Sequence, residues 1–154
     1  MFYYHEIQNI FLILFCLFIF SCDSDSVSVE DEDFTSILLT GPNGGALGYE
    51  GIEGNYGNCT LSIMTLSYPY PNPSNGNVSI NYSSPINTNL TIKVINQDYE
   101  QVDVIYDSYT YAMQSGTASW DGYDSNNNLA PNGYYRMIIN TTDLDECYLN
   151  FKKE

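Results

Sequence analysis

Four cysteines are the residues with the clearest chemical potential in this sequence. Cys16 and Cys22 lie in or beside an apolar N-terminal run, whereas Cys59 and Cys147 lie far apart in the rest of the chain. The one histidine, His5, precedes the apolar run. In an exported protein, two interior cysteines form a disulfide more often than a nucleophile pair. We therefore predict a Cys59–Cys147 disulfide, with two buried free thiols as the alternative.

A run of oxygen-bearing side chains resembles the first half of a calcium-binding loop. It consists of Asp121, Asp124, Asn126 and Asn128, but Leu129 follows where the EF-hand pattern requires glycine. No glutamate lies six residues further on. A long polar hairpin turn explains the run better, so we predict no metal site and no cofactor.

Carboxylates elsewhere show no arrangement typical of acid–base catalysis. Asp98, Glu100 and Asp103 surround a predicted turn between strands, where we expect their carboxylates to be exposed to solvent. Nothing in the spacing marks two of them as a catalytic pair. We predict that the protein is not an enzyme.

The charge of the chain disfavours nucleic-acid binding. Nineteen acidic residues oppose Lys93, Arg136, Lys152 and Lys153, for a formal net charge of −15. No basic surface is left to meet a phosphate backbone. Six of the acids fall within residues 23–33, which contain no base, and such a block is expected to stay solvated and extended.

The N-terminal region has the pattern of an export leader. Residues 10–20 form an unbroken apolar run of eleven residues, shorter than the roughly 20 that cross a bilayer as a helix. Ile19, Phe20, Ser21 and Cys22 resemble the lipobox of bacterial lipoproteins, which implies cleavage after residue 21 and lipidation of Cys22. Cys16 fits less well because a phenylalanine precedes it. A short buried helix with a free cysteine is the alternative interpretation.

Residues 22–58 are interpreted as an acidic and Gly-rich tether. From Thr40 to Asn58 the density of glycine is too high for a helix or a stable strand, which predicts a flexible linker. Phe34 to Leu39 is the one apolar patch, and it either forms a short edge strand or stays loose. The acidic stretch after Cys22 is also similar to the signal that sends lipoproteins to the cell surface in bacteria with type IX secretion.

From Cys59 onward the sequence alternates between apolar and polar residues, the pattern of strands with one buried face. About seven short strands, separated by clusters of turn residues, predict an all-β domain at residues 59–154, an Ig-like antiparallel β-sandwich. The predicted strands are Cys59–Ile63, Asn77–Tyr82, Leu90–Val94, Gln101–Tyr106, Gly116–Trp120, Tyr134–Asn140 and Cys147–Phe151.

Three motifs in this region carry a resemblance to a known family. They are Tyr70-Pro71-Asn72-Pro73, then Trp120-Asp121-Gly122, then Gly133-Tyr134-Tyr135. In this order and spacing they resemble the immunoglobulin-like domain of flagellar hook-capping proteins and the related C-terminal sorting domain of type IX secretion substrates. The resemblance covers roughly residues 66 to 151 and implies an Ig-like fold.

The same motifs have structural roles that follow from their chemistry. Pro71 and Pro73 remove two backbone donors, so a strand is expected to begin after them. Trp120 is expected to fill the space between the sheets, followed by a turn at Asp121 and Gly122. The rival interpretation leaves Trp120 exposed as a sugar-stacking platform.

These observations predict a non-catalytic lipoprotein held at the membrane by its N-terminal lipid, in the outer membrane or at the cell surface. Its β domain would serve as a structural or interaction module for an envelope protein. Two alternatives remain: a type IX sorting domain read by the secretion machinery, and a carbohydrate-binding lipoprotein that uses its many tyrosines.

Overall fold

The computed structural model describes residues 33–59, 64–142 and 144–154. The predicted leader at 1–21, the lipidation residue Cys22, and residues 60–63 of the first predicted strand lie outside the described residues. Within the described ranges the chain forms strands and turns without a helix, and therefore no helix long and apolar enough to cross a membrane. The strands are β1 (Ile37–Thr40), β2 (Ala46–Glu50), β3 (Thr65–Leu66), β4 (Val78–Ser84), β5 (Thr88–Ile95), β6 (Gln101–Thr110), β7 (Gln114–Trp120), β8 (Gly133–Thr141) and β9 (Leu144–Lys153).

Seven of these strands form two antiparallel sheets, which confirms the predicted all-β sandwich. One sheet has the order β3-β4-β7 and the other has the order β6-β5-β8-β9. A division into sheets of three and four strands is the one found in Ig-like domains. The strands β1 and β2 pair with each other as a separate two-stranded hairpin, and Thr40 at the end of β1 also bridges to Asn72.

The core lies between the two sheets and follows the alternation in the sequence. Val78, Ile80 and Tyr82 of β4 are buried, and so are alternate residues of β5. On β8, all residues from Tyr135 to Ile139 are buried, because both faces of this strand are covered. Full burial of a valine, leucine or isoleucine side chain stabilises a fold by about 1.5 to 3 kcal/mol. The sandwich is therefore held chiefly by these inward faces. Its fully buried apolar side chains include Leu90, Ile92, Val94, Trp120, Met137, Ile139 and Phe151.

The interpretation of residues 33–58 as a flexible tether is wrong. This segment belongs to the same compact unit as the rest of the described chain and contains the β1–β2 hairpin. Phe34 and Ile37 are buried, and Thr40 exchanges two backbone hydrogen bonds with Asn72. Gly44, with φ of +77°, lies in the hairpin turn, where glycine tolerates the left-handed backbone. Glycine therefore permits the turn here instead of signalling a linker, and the folded region begins 26 residues before Cys59.

Candidate functional site

Trp120 is completely buried between the sheets, as the sequence analysis predicts. Its ring packs against Tyr135 and Phe151, with ring centroids 5.0 and 5.6 Å away. Its indole N–H donates a 2.7 Å hydrogen bond to the Tyr123 carbonyl, so burial leaves no polar atom of this side chain unpaired. A sugar-stacking role for Trp120 is excluded because none of its surface is available.

Asn72 connects the N-terminal hairpin to the last strand. The residue is 1% exposed. Its amide donates to the Leu38 carbonyl at 2.8 Å, and its Oδ1 accepts the Lys152 backbone N–H at 2.9 Å. Pro71 and Pro73 flank it, both preceded by cis peptide bonds, and β4 begins after them at Val78, as expected.

The Asp121-Gly122 turn packs against the end of β9. Gly122 has φ of +87°, and a Cβ atom there would lie 3.0 Å from the Gly76 Cα and 3.3 Å from the Lys153 Cε. Both the backbone angle and the space therefore favour glycine. The Asp121 carboxylate accepts the Tyr123 backbone N–H at 3.0 Å, which closes the turn.

Gly133 opens β8, and Tyr134 follows it beside the hairpin. The Tyr134 hydroxyl donates a hydrogen bond to the Glu50 carboxylate, and Glu50 also lies 3.4 Å from the Lys152 Nζ. The bond to Glu50, helped by burial, raises the pKa of Tyr134 above its ordinary value. Lys152 lies 5.4 Å from the Tyr134 ring centroid. This group therefore ties β2 to β8 and β9.

The three sequence motifs thus meet at one place, the C-terminal end of β9. Trp120 packs on Phe151, Asn72 binds the Lys152 backbone, and Tyr134 pairs with Lys152 across the sheet. The residue types of each motif predict a scaffold role, but they do not predict that the three motifs meet at one strand. Only the fold reveals this, because the motifs are some 50 and 13 residues apart in the chain.

Cys59 and Cys147 form the disulfide that the sequence analysis favours over free thiols. Their sulfur atoms are 2.08 Å apart, and the cross-link spans 88 residues of sequence. Cys147 is buried in β9, and Cys59 packs against the core. The bond therefore fixes the segment after the hairpin to the last strand.

A buried arginine is the main feature that the sequence analysis missed. Arg136 is 1% exposed, and its guanidinium carbon lies 4.0 Å from the Phe34 ring centroid and 3.7 Å from that of Tyr148. Its Nε–H donates to the Asn150 Oδ1 at 2.8 Å, while the Asn150 amide donates to the Asp33 and Ser36 carbonyls. The N-terminal segment thus covers the outer face of β8 and β9. The apolar patch at Phe34 is the one sign in the sequence that this segment could pack on the domain, and it does not identify Arg136 as the partner.

The candidate calcium loop is a hydrogen-bonded turn. The Asp124 Oδ1 accepts the backbone N–H groups of Asn126 and Asn128 at 2.9 and 2.8 Å. The pKa of Asp124 lies below its usual value, chiefly because the Asn128 side chain donates a hydrogen bond to the carboxylate. Across the described ranges, no cluster of three or more acidic, histidine or cysteine side chains is placed to hold a metal ion.

A cleft of about 390 Å³ lies between the β5–β6 turn and the β7–β8 loop. Asp98, Glu100 and Asp124 contribute its charge, and no lysine or arginine lines it. Asp103, grouped with Asp98 and Glu100 in the sequence, lies on β6 and does not line the cleft. The cleft is open, its charged groups are acidic, and its lining is as apolar as it is polar.

Fold and site define a disulfide-linked antiparallel β-sandwich whose motif residues serve packing. Comparison of the sequence with protein-family models and with curated proteins finds no significant match to either. The geometry of the described residues and the sequence motifs are therefore the basis for a function.

Proposed function

We propose that this chain is a non-catalytic lipoprotein of the bacterial cell envelope, whose Ig-like domain serves as a structural or interaction module for an envelope protein. The Cys59–Cys147 disulfide is the observation that carries the proposal. Disulfides form and persist in exported proteins and are rare in the cytosol. An oxidising compartment agrees with an N-terminal export leader.

Lipidation at Cys22 would hold the domain close to its membrane. The described fold begins at Asp33, eleven residues beyond Cys22. Eleven residues span at most about 40 Å when fully extended. The short connection keeps the sandwich near the bilayer, within reach of other envelope proteins, and the acidic residues in it favour a hydrated interval.

Metabolic labelling with a palmitate analogue tests the anchor. The wild-type chain is expected to incorporate the label and to sediment with membranes, whereas Cys22→Ala is expected to lose both properties. Cys16→Ala is the matched control and should label like wild type. Equal labelling of Cys22→Ala and wild type would overturn the lipoprotein proposal.

Thiol accessibility tests the compartment. Under denaturing conditions, maleimide should label Cys59 and Cys147 in protein taken from cells only after reduction. Immediate labelling without a reductant would mean that the chain resides in a reducing compartment.

Carbohydrate binding is a second candidate because two tyrosines extend into solvent. Tyr109 and Tyr111 are 47% and 65% exposed, and their rings meet edge to face at 5.1 Å. Exposed aromatic rings offer apolar area with a polar tip, which suits sugar rings. Retention on immobilised envelope polysaccharide, abolished by Tyr111→Ala but not by Tyr99→Ala, would support this candidate over a protein partner.

A further inference from the structure

The strand β7 forms an open edge of the three-stranded sheet. It pairs with β4 along all seven of its residues without a register shift. Within the described residues, no strand or isolated bridge pairs with its other side. An open edge presents unpaired backbone donors and acceptors that can receive another strand.

The hydrogen bonds of β4 identify the free groups. Ser79 exchanges both of its backbone hydrogen bonds with Tyr70, on the side of β4 away from β7. In an antiparallel pair, the backbone groups of two opposed residues either bond to each other or both point away from the partner strand. Ser119, opposite Ser79, therefore directs its N–H and carbonyl toward the open edge. The alternation places the same groups of Ser115 and Thr117 there too.

The other long edges of the two sheets are protected. On β9, the Tyr148 carbonyl accepts the Asn58 N–H and the Lys152 carbonyl accepts the Ser74 N–H. On β6, the pairing with β5 has two register shifts, and Asp103 and Asp107 add charge to the edge. Irregular pairing and charged side chains are common means of blocking an edge.

In contrast, β7 carries none of these protections. Its sequence, Gln-Ser-Gly-Thr-Ala-Ser-Trp, has no charged residue and no proline, and its register is regular. A regular, uncharged edge of this length suits strand addition. On its solvent face, Ser119 and Thr117 bond to Ser79 and Asn81 of β4 at 2.8 and 2.7 Å, so the strand is held firmly in place.

The charge of the chain segment that carries this edge indicates the chemistry of the partner. Residues 96–132, which include β6, β7 and the turns beside them, contain six acidic residues and no basic residue. A second copy of the chain would bring like charge against like charge, and so would the chain's own acidic residues 23–33. A basic partner is favoured instead. The acids are Asp98, Glu100, Asp103, Asp107, Asp121 and Asp124.

We propose that the open edge of β7 is the docking surface for an extended segment of a partner protein that carries lysine or arginine. The segment adds a fourth strand to the sheet by pairing with Ser115, Thr117 and Ser119. The acidic residues of segment 96–132 and the chain's net charge of −15 attract its basic side chains. This proposal rests on the proposed interaction function and names the surface and partner class that the function uses.

Hydrogen–deuterium exchange with a probe peptide tests the proposal. The full chain, kept soluble in a mild non-ionic detergent, is mixed with a peptide of alternating threonine and valine that has lysines at both ends. With peptide at about ten times its Kd, exchange at the amides of Ser115, Thr117 and Ser119 should slow about tenfold. The amides of Gly116 and Ala118 bond to β4 already and should change little.

Three controls isolate the edge and the charge. A peptide with the same core and terminal glutamates should protect far less, and the difference should shrink at high salt. Thr117→Pro removes the backbone N–H that points to the open edge and should abolish protection. Thr117→Val loses the side-chain hydroxyl, as Thr117→Pro does, but keeps the backbone N–H, so the peptide should still protect the edge. If Thr117→Pro does not fold, a lysine peptide with N-methyl groups on its pairing face serves instead and should give no protection.

Several outcomes would overturn the proposal. These are no protection by the lysine peptide, equal protection by the glutamate peptide, and protection without peptide that rises with protein concentration and so indicates self-pairing. Protection at residues 101–110 would mean that the peptide docks on the edge of β6 and not on that of β7. Failure here leaves palmitate labelling of Cys22 unaffected, so the two proposals fail separately.

Discussion

The Asn72 side chain bridges two segments that are far apart in sequence, and Asn72→Ala would leave both without their partner. The Leu38 carbonyl loses a donor and the Lys152 backbone N–H loses an acceptor. A buried group left unsatisfied costs about 1 to 3 kcal/mol, and because both of these bonds are part-buried, the two losses together cost up to about 4 kcal/mol. The backbone bonds between Asn72 and Thr40 remain, so the hairpin should stay attached while the domain is destabilised.

Urea and thermal unfolding of Asn72→Ala measure this loss. Because a folded domain has only about 5 to 15 kcal/mol of stability, a loss near 4 kcal/mol should lower the Tm by roughly 10 to 20 °C. Asn126→Ala is the matched control, since Asn126 is exposed and is bonded to Asp124 through its backbone N–H. That variant should unfold within about 0.5 kcal/mol of wild type. If the two variants unfold alike, the bridge contributes nothing and the reasoning fails.

Three further outcomes are expected. Trp120→Ala should lower the free energy of unfolding in urea by about 3 to 5 kcal/mol. The tryptophan emission of the wild type should be blue-shifted and poorly quenched by iodide, and ready quenching would contradict burial. Replacing Cys59 and Cys147 by serine should cost about 4 to 5 kcal/mol, because the unfolded chain regains the entropy of an 88-residue loop; an unchanged Tm would refute this. Burial, together with the hydrogen bond to Tyr106, raises the pKa of Tyr82 to about 12. The stability that neutral Tyr82 contributes should therefore be complete below pH 10 and lost between about pH 10 and 12. Tyr82→Phe should remove the tyrosine that ionises near pH 12 from the absorbance titration, and an unchanged titration would contradict the raised pKa.

Alternation made the sandwich predictable from the sequence. On β4 and β5, alternate residues are apolar, as a strand with one buried face requires, whereas β8 is buried on both faces from Tyr135 to Ile139. The position of Trp120 followed from the same period, since Ala118 and Trp120 share the inward face of β7. Local chemistry was enough because each strand carries its own pattern.

The N-terminal hairpin could not be predicted in this way. Glycine density dominates residues 40–58, whereas the stabilising contacts come from Phe34 on Arg136 and from Thr40 on Asn72. These partners lie at least 32 residues apart in the chain. Arg136 was equally hidden, because a lone cation in a strand gives no sequence signal that an aromatic ring will cover it. Tertiary contacts, absent from any local window, decide both cases.

The disulfide also determines how the domain would carry mechanical load. Tension between residue 33 and the last residue would first reach the β1–β2 hairpin and then Cys59, from which the covalent bond passes it directly to Cys147. The residues between the two cysteines, which are 88 positions apart, lie outside that path. At about 3.4 Å per residue, roughly 300 Å of chain would be shielded from extension. Under pulling, only the two ends would lengthen, and most of the sandwich, including β7, would keep its shape.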